Sequence, residues 1–288
     1  MWEARNIPEA IGARVRTAAR IIAAFVASAF IVSNAVAQNL GTFFTDDWWN
    51  PDESGWGLVV MHQQTFIFAT FFIYKDGAPY WVTAHLEKVG TSGLAASPQV
   101  FTGPVYETQG TPFGTPWNPN SSGQTQVGTA TFSSTGSNTA TLQYSINGVN
   151  VTKNIQRQTL RYINYSAQYG GGTVYQFSQC LGSASSNNGA TVSDTGLLTI
   201  AQTNQGQTFH MDAVGQVNNC SFNGTYTQRG SLGRVDGNYS CLNGEVGTFT
   251  MFAMQWTLYG MSAGITGQNQ FCHFDGFLGG ITGLHIVP

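Results

Sequence analysis

Charge is scarce in this sequence. Asp, Glu, Lys and Arg together make up 9% of its 288 residues. Beyond residue 37 the chain carries seven Lys and Arg against twelve Asp and Glu, a net charge of −5. Neutralising a phosphate backbone needs a basic surface, so nucleic acid is excluded as a partner. Cysteine is absent before residue 180. The four that follow, Cys180, Cys220, Cys241 and Cys272, form no C-x-x-C pair and have no zinc-ligand spacing. The five histidines, His62, His85, His210, His273 and His285, contain neither H-x-H nor H-E-x-x-H. There is no phosphate loop. No cofactor and no metal are expected. No segment after residue 37 sustains an apolar period near 3.6, which excludes a helical architecture.

The N-terminus reads as an export signal. Arg14, Arg16 and Arg20 precede the apolar run IIAAFVASAFIV over residues 21–32. That run is too short to cross a bilayer. Ala35, Val36 and Ala37 then satisfy the small-x-small rule for cleavage. Residues 1–37 are therefore assigned to a signal peptide, with no transmembrane segment in the mature chain. A secreted or periplasmic location follows, and an even number of cysteines there implies disulfides.

The mature sequence is rich in Thr, Ser, Asn, Gln, Gly and aromatic residues, the composition of an all-β protein. Residues 66–74 and 79–87 flank Asp76 and Gly77, a type I′ hairpin signature. Centring the turn there sets Phe72 opposite Trp81, and this pairing leads us to expect Trp81 in the core. Asn147 and Gly148 mark a second hairpin. Roughly eight strands of ordinary length fit before residue 160. A third hairpin turns at Gly230 and Ser231, a Gly-first type II′ loop. Its register sets Tyr226 opposite Val235, Phe222 opposite Tyr239, and Cys220 opposite Cys241. We therefore expect two tandem antiparallel β-domains, 38–161 and 162–288. Barrel-like closure is favoured because it hides strand edges, with a β-sandwich as the alternative.

The disulfides expected are Cys220–Cys241 across the hairpin and Cys180–Cys272 between the first and last strands of the second domain. A one-residue bulge would instead permit Cys180–Cys220 with Cys241–Cys272. Residues 66–73 are apolar at both odd and even positions. Such a strand is either central and covered on both faces, or has one face lining a ligand cavity.

The densest motif is WWNPDESGWG, residues 48–57. Asn50, Pro51 and Asp52 are turn formers. Trp48 and Trp49 are adjacent, so on a strand they face opposite sides. One belongs in the core; the other is expected to be partly exposed and available to a ligand. Ser54 lacks a neighbouring base, which removes the case for a nucleophile. The stretch resembles a motif of the form W-[WY]-N-P-x-E-S-G-W-G followed by an aromatic hairpin, which recurs in uncharacterised exported bacterial proteins. Here the resemblance covers residues 48 to about 84, and the cysteine-bearing half is similar to a companion domain in some of them. It implies export and an all-β fold, and no activity.

Other motifs are weaker. Gly260, Ser262 and Gly264 match G-x-S-x-G, with Asp275 and His285 following in hydrolase order. That elbow needs a strand, a sharp turn and a helix, and strand-like sequence flanks it here. His210 and Asp212 share a strand face as a structural pair. Lys153, Arg157 and Arg161 share a face of a regular strand, as an anion site or, more simply, as a solvated surface. A transmembrane β-barrel would need long strands with apolar residues facing outward, which suits the short strands and cysteines poorly.

Taken together, these features indicate a secreted or periplasmic, non-catalytic protein that holds a glycan or small-molecule ligand on aromatic β-surfaces, carbohydrate being the leading class. The candidate contact residues are Trp48, Trp49, Trp56, Asn50 and Glu53, with Trp81 beside them. The rival readings are a carrier of a small apolar ligand, a structural or adhesive surface protein, and a serine hydrolase. The signal assignment has a direct check. Intact mass of protein from the exported fraction should begin at Gln38, and retention of the Arg-rich segment would refute it.

Overall fold

The structure is a computed structural model that describes residues 43–90, 98–203 and 206–282. The signal segment 1–37 and His285 lie outside the described residues. Two eight-stranded antiparallel barrels follow one another along the chain, so the sandwich alternative is replaced by closed sheets.

The first barrel comprises β1 (Asp46–Trp49), β2 (Gly57–Gln63), β3 (Phe66–Lys75), β4 (Ala78–Val89), β5 (Val100–Gln109), β6 (Gly123–Ser134), β7 (Thr139–Ile146) and β8 (Val149–Arg157). Each strand pairs with the next, and β8 returns to β1. The hairpins stand where the turn chemistry places them. Asp76 and Gly77 both have positive φ, as do Asn147 and Gly148, the geometry a type I′ turn requires. Strand alternation then sorts side chains to two faces. Leu58, Val60, Ile67, Phe71, Val82, Leu86, Phe101, Phe132 and Leu142 point inward and are buried. The even positions of β3 point outward. Phe66 and Phe68 are half-buried there against the His85 ring, while Phe72 stands exposed.

This sorting corrects one expectation. Phe72 does pair with Trp81, but on the outer face, and Trp81 is 52% exposed. Hairpin register fixes which residues meet; it does not fix which face they share. Here Ile67 and Phe71 on β3 with Val82 on β4 take the interior, so the Phe72–Trp81 pair is left outside.

The second barrel comprises β9 (Ala167–Ser178), β10 (Thr191–Thr203), β11 (Thr208–Gly215), β12 (Asn219–Arg229), β13 (Leu232–Cys241), β14 (Val246–Thr257), β15 (Gly260–Asn269) and β16 (His273–Thr282). Here β9 pairs with both β10 and β16, which closes the ring. Its interior holds Tyr169, Phe209, Met211, Phe222, Val235, Phe249, Met251, Met254 and Phe274. At the closing seam the backbones approach closely. Gly171 faces Gly280, and a Cβ on Gly171 would sit 2.0 Å from the Gly279 carbonyl oxygen. Both interiors are packed mainly with apolar side chains, whereas an outer-membrane barrel has a polar lumen. No helix among the described residues is long and apolar enough to cross a membrane.

The disulfides are Cys220–Cys241 and Cys180–Cys272. The first joins directly opposed residues of β12 and β13. The second lies just beyond Ser178 and just before His273, which are themselves paired, so it clamps the seam between β9 and β16. Closing a loop of 92 residues removes more denatured-state freedom than closing one of 21. Replacing both Cys180 and Cys272 by Ala should therefore lower unfolding free energy by about 4–5 kcal/mol, against about 3 kcal/mol for the Cys220 and Cys241 pair. Denaturant titration of the two double variants checks the order; equal losses would contradict it.

Candidate functional site

The segment 48–57 leaves β1, turns, and enters β2. Asn50 builds the turn: its Oδ1 accepts the Asp52 N–H at 3.0 Å and its carbonyl accepts the Glu53 N–H at 3.1 Å. The three tryptophans then take three different positions. Trp48 is fully buried, contrary to a role on a ligand face. Its Nε1 donates to the Phe44 carbonyl at 2.9 Å and its ring lies edge-on to Phe132 at 5.1 Å. Trp56 is half-buried against the end of the core. Its Nε1 donates to Glu53 at 3.1 Å, and the Lys153 ammonium lies 5.9 Å from its ring centre. Lys153 donates to both Glu53 oxygens, at 2.8 and 2.6 Å, and holds that carboxyl below its usual range. Asn50, Glu53 and Trp56 thus fasten the loop across the barrel end, and Trp49 alone of the three tryptophans is turned outward.

Outside, Trp49 joins Trp81, which the sequence set beside it, together with Gly57 and Phe72, which it did not. Trp48 pairs with Leu58, so Trp49 lies beside Gly57, and Gly57 pairs with Phe72, which pairs with Trp81. The outer row therefore runs Trp49, Gly57, Phe72, Trp81 across four adjacent strands. Gly57 has no side chain, and a Cβ there would come within 2.9 Å of the Trp48 carbonyl oxygen. The missing side chain opens a slot between Trp49 and Phe72. Strands lie about 4.8 Å apart, so these two rings are rooted about 10 Å from each other, enough for a flat ring between them. The slot is an open cleft of about 330 Å³ that also takes in Asp47, Ser54, Val59 and Gln158. Burial and the neighbouring Asp46 charge raise the Asp47 pKa. The signal for this row lay in the hairpin registers; what hid it was the choice of face.

The basic residues do not share a solvated face. Arg157 is buried at 1% exposure inside the first barrel. Its guanidinium donates to Asp46 at 2.8 Å and to the carbonyls of Thr45, Ser137 and Phe43, and its Cζ lies 5.0 Å from the Trp48 ring centre. Lys153 is held by Glu53, and Arg161 lies beyond the end of β8. A strand face that looks cationic in sequence is broken up because Arg157 takes an inward, core position.

The hydrolase arrangement does not assemble. Ser262 lies within β15 opposite Gly279, with a strand on each side rather than a strand-to-helix elbow. Asp275 pairs in register with Thr266, and its Oδ2 lies 3.1 Å from His273. His210 bridges Asn223 at 2.8 Å and Asp212 at 3.1 Å on the outer face, contacts that raise its pKa, the Asn223 bond most. His62 is buried: its Nδ1 accepts the Phe44 N–H, its Nε2 donates to the Gln64 carbonyl, and desolvation lowers its pKa. Among the described residues no cluster of His, Cys, Asp and Glu is arranged to hold a metal.

Comparison with family models, with curated proteins and with solved structures finds no match. Trp48→Ala should cost about 3–5 kcal/mol, as removal of a large core side chain does. Trp81→Ala, on the surface, should cost under about 1 kcal/mol. Denaturant unfolding of both variants checks this; comparable losses would put the two rings in the same environment.

Proposed function

We propose that this is a secreted or periplasmic, non-catalytic binding protein whose first barrel holds carbohydrate on its outer aromatic row. The observation that carries the reading is the slot floored by Gly57 between Trp49 and Phe72, with Trp81 extending the row. Sugar rings present flat C–H faces and a rim of hydroxyls. Aromatic rings on a β-surface, Phe72 and Trp81 exposed and Trp49 half-buried, suit the faces, since they offer large apolar area at fixed positions. Asp47, Ser54 and Gln158 around the slot suit the hydroxyls. The two disulfides suit an oxidising compartment, which supports export. The resemblance of residues 48–57 to exported bacterial proteins points the same way.

A second reading has its own observation. Val59, Met61 and Tyr74 are also exposed on β2 and β3, so the apolar surface extends past the slot. Contiguous exposed apolar surface also marks protein–protein contact. That reading makes the face an adhesive or self-associating one.

Titration of tryptophan fluorescence with a panel of neutral oligosaccharides separates the two. The glycan reading expects saturable quenching by at least one sugar class, with Trp49→Ala and Trp81→Ala each weakening it about tenfold or more. Trp117→Ala, in the loop between β5 and β6, should leave the affinity unchanged. No response to any glycan, together with light scattering that rises with concentration and is abolished by Trp81→Ala, would reject the glycan reading in favour of association.

A further inference from the structure

The second barrel has a recess of its own. It lies at the end of the barrel that bears the disulfides, opposite the end where the Gly230 and Ser231 turn meets the first barrel. Its walls are aromatic and aliphatic: Tyr175, Phe222, Tyr239 and Phe274, with Ile265 below and the Cys220–Cys241 bridge at one side. Tyr175 meets Phe274 at 5.5 Å, Phe222 stacks on Tyr239 at 5.3 Å, and Tyr239 meets Phe274 at 5.8 Å between ring centres. The free space is about 70 Å³, several times what one water needs.

The charged groups in this recess have one sign. Asp194 and Glu245 line it, and among the described residues no Lys, Arg or His does. Asp194 is occupied. Its oxygens accept the N–H groups of Gln216, Val217 and Asn218 at 2.8, 3.1 and 3.2 Å, which hold the carboxyl below its usual range despite the opposing effect of desolvation. Glu245 is half occupied. The Tyr239 hydroxyl at 2.7 Å and the Asn269 amide at 3.0 Å both donate to Oε1, and Oε2 has no protein donor among the described residues. The Tyr175 hydroxyl likewise has no hydrogen-bond partner among the described residues. Burial, and then Glu245 and Asp194, push its pKa up to about 12, as expected where the local field is negative.

We propose that this recess binds a small organic cation: a protonated or quaternary amine carrying one ring or a short alkyl group. Four aromatic rings, Phe222, Tyr239, Phe274 and Tyr175, line the recess; the electron-rich face of such a ring attracts a cation, and the attraction grows when water is excluded. Glu245 Oε2 supplies the counter-charge, and the Tyr175 hydroxyl oxygen supplies an acceptor for an N–H. A carboxylate ligand of the same shape meets two like charges and no cation. The proposal is independent of any glycan on the first barrel.

The test compares three ligands of nearly one shape, benzylammonium, benzyl alcohol and benzoate, by calorimetric titration of the full mature chain at pH 7. Benzylammonium should bind saturably, about tenfold or more tighter than benzyl alcohol, and benzoate should not bind. Glu245→Gln should weaken benzylammonium about tenfold while leaving benzyl alcohol unchanged. The wild-type series stands even if that variant fails to fold. Failure of benzylammonium to bind, equal affinity for the alcohol or benzoate, or an unaltered preference in folded Glu245→Gln would each overturn the proposal. Loss of glycan binding in the first barrel would not affect it.

Discussion

The Arg157 guanidinium closes the first barrel. A ring of strands is only as complete as its last pairing, and here the last pairing is slight. β1 has four residues and meets β8 through two residue pairs, Trp48 with Arg157 and Trp49 with Gln156. The Arg157 side chain extends the join from inside, binding the carbonyls of Phe43 and Thr45 ahead of β1 and of Ser137 ahead of β7. Burying a guanidinium is costly unless its donors are satisfied and its charge is met. Asp46 meets the charge and Trp48 covers the group. Desolvation lowers the Arg157 pKa, and the Asp46 bond works against that change.

The same carboxylate reaches the second barrel. Asp46 Oδ2 accepts the Ser231 N–H at 2.8 Å and the Ser231 hydroxyl at 2.9 Å. The neighbouring turn residue must be small, because a Cβ on Gly230 would lie 2.2 Å from that oxygen and 2.7 Å from Arg157 Cβ. Thr159 accepts the Gly230 N–H, and Gln228 donates to the Arg161 carbonyl and accepts the Ile163 N–H. The connecting segment is thus held by the hairpin it leads into. The two barrels close by different means: the second has a long backbone ladder and a disulfide at its seam, while the first has a short pairing reinforced by a buried ion pair. Because Trp48 and Arg157 occupy the interior of that join, alternation along β1 sends Trp49 outward, where it flanks the slot. The aromatic face and the junction therefore depend on the same few residues.

Much of this was legible in the sequence because turn chemistry is local. Asp76 with Gly77, Asn147 with Gly148, and Gly230 with Ser231 each fix a hairpin, and from these come the registers and the opposition of Cys220 and Cys241. The choice of face was not legible on β3. Its odd and even positions are both apolar, so periodicity gives no preference, and Trp81, expected inward, stands outside. Arg157 was hidden for a different reason. A charged residue in a strand reads as surface, and its partner Asp46 lies 111 positions away. The recess of the second barrel was equally hidden, because residues from β9, β10, β11, β12, β13, β15 and β16 meet there only once the ring closes.

The most direct test of this account is amide hydrogen exchange at Ser231 in the Arg157→Met variant. The substitution keeps the bulk of the side chain inside the first barrel but removes the charge that orients Asp46. If Asp46 links barrel closure to the inter-barrel turn, exchange at Ser231 should quicken about tenfold or more, while Cys241 at the far end of the second barrel keeps its protection. Unchanged protection of Ser231 in a folded Arg157→Met protein would contradict it, because the turn would then be held without Arg157.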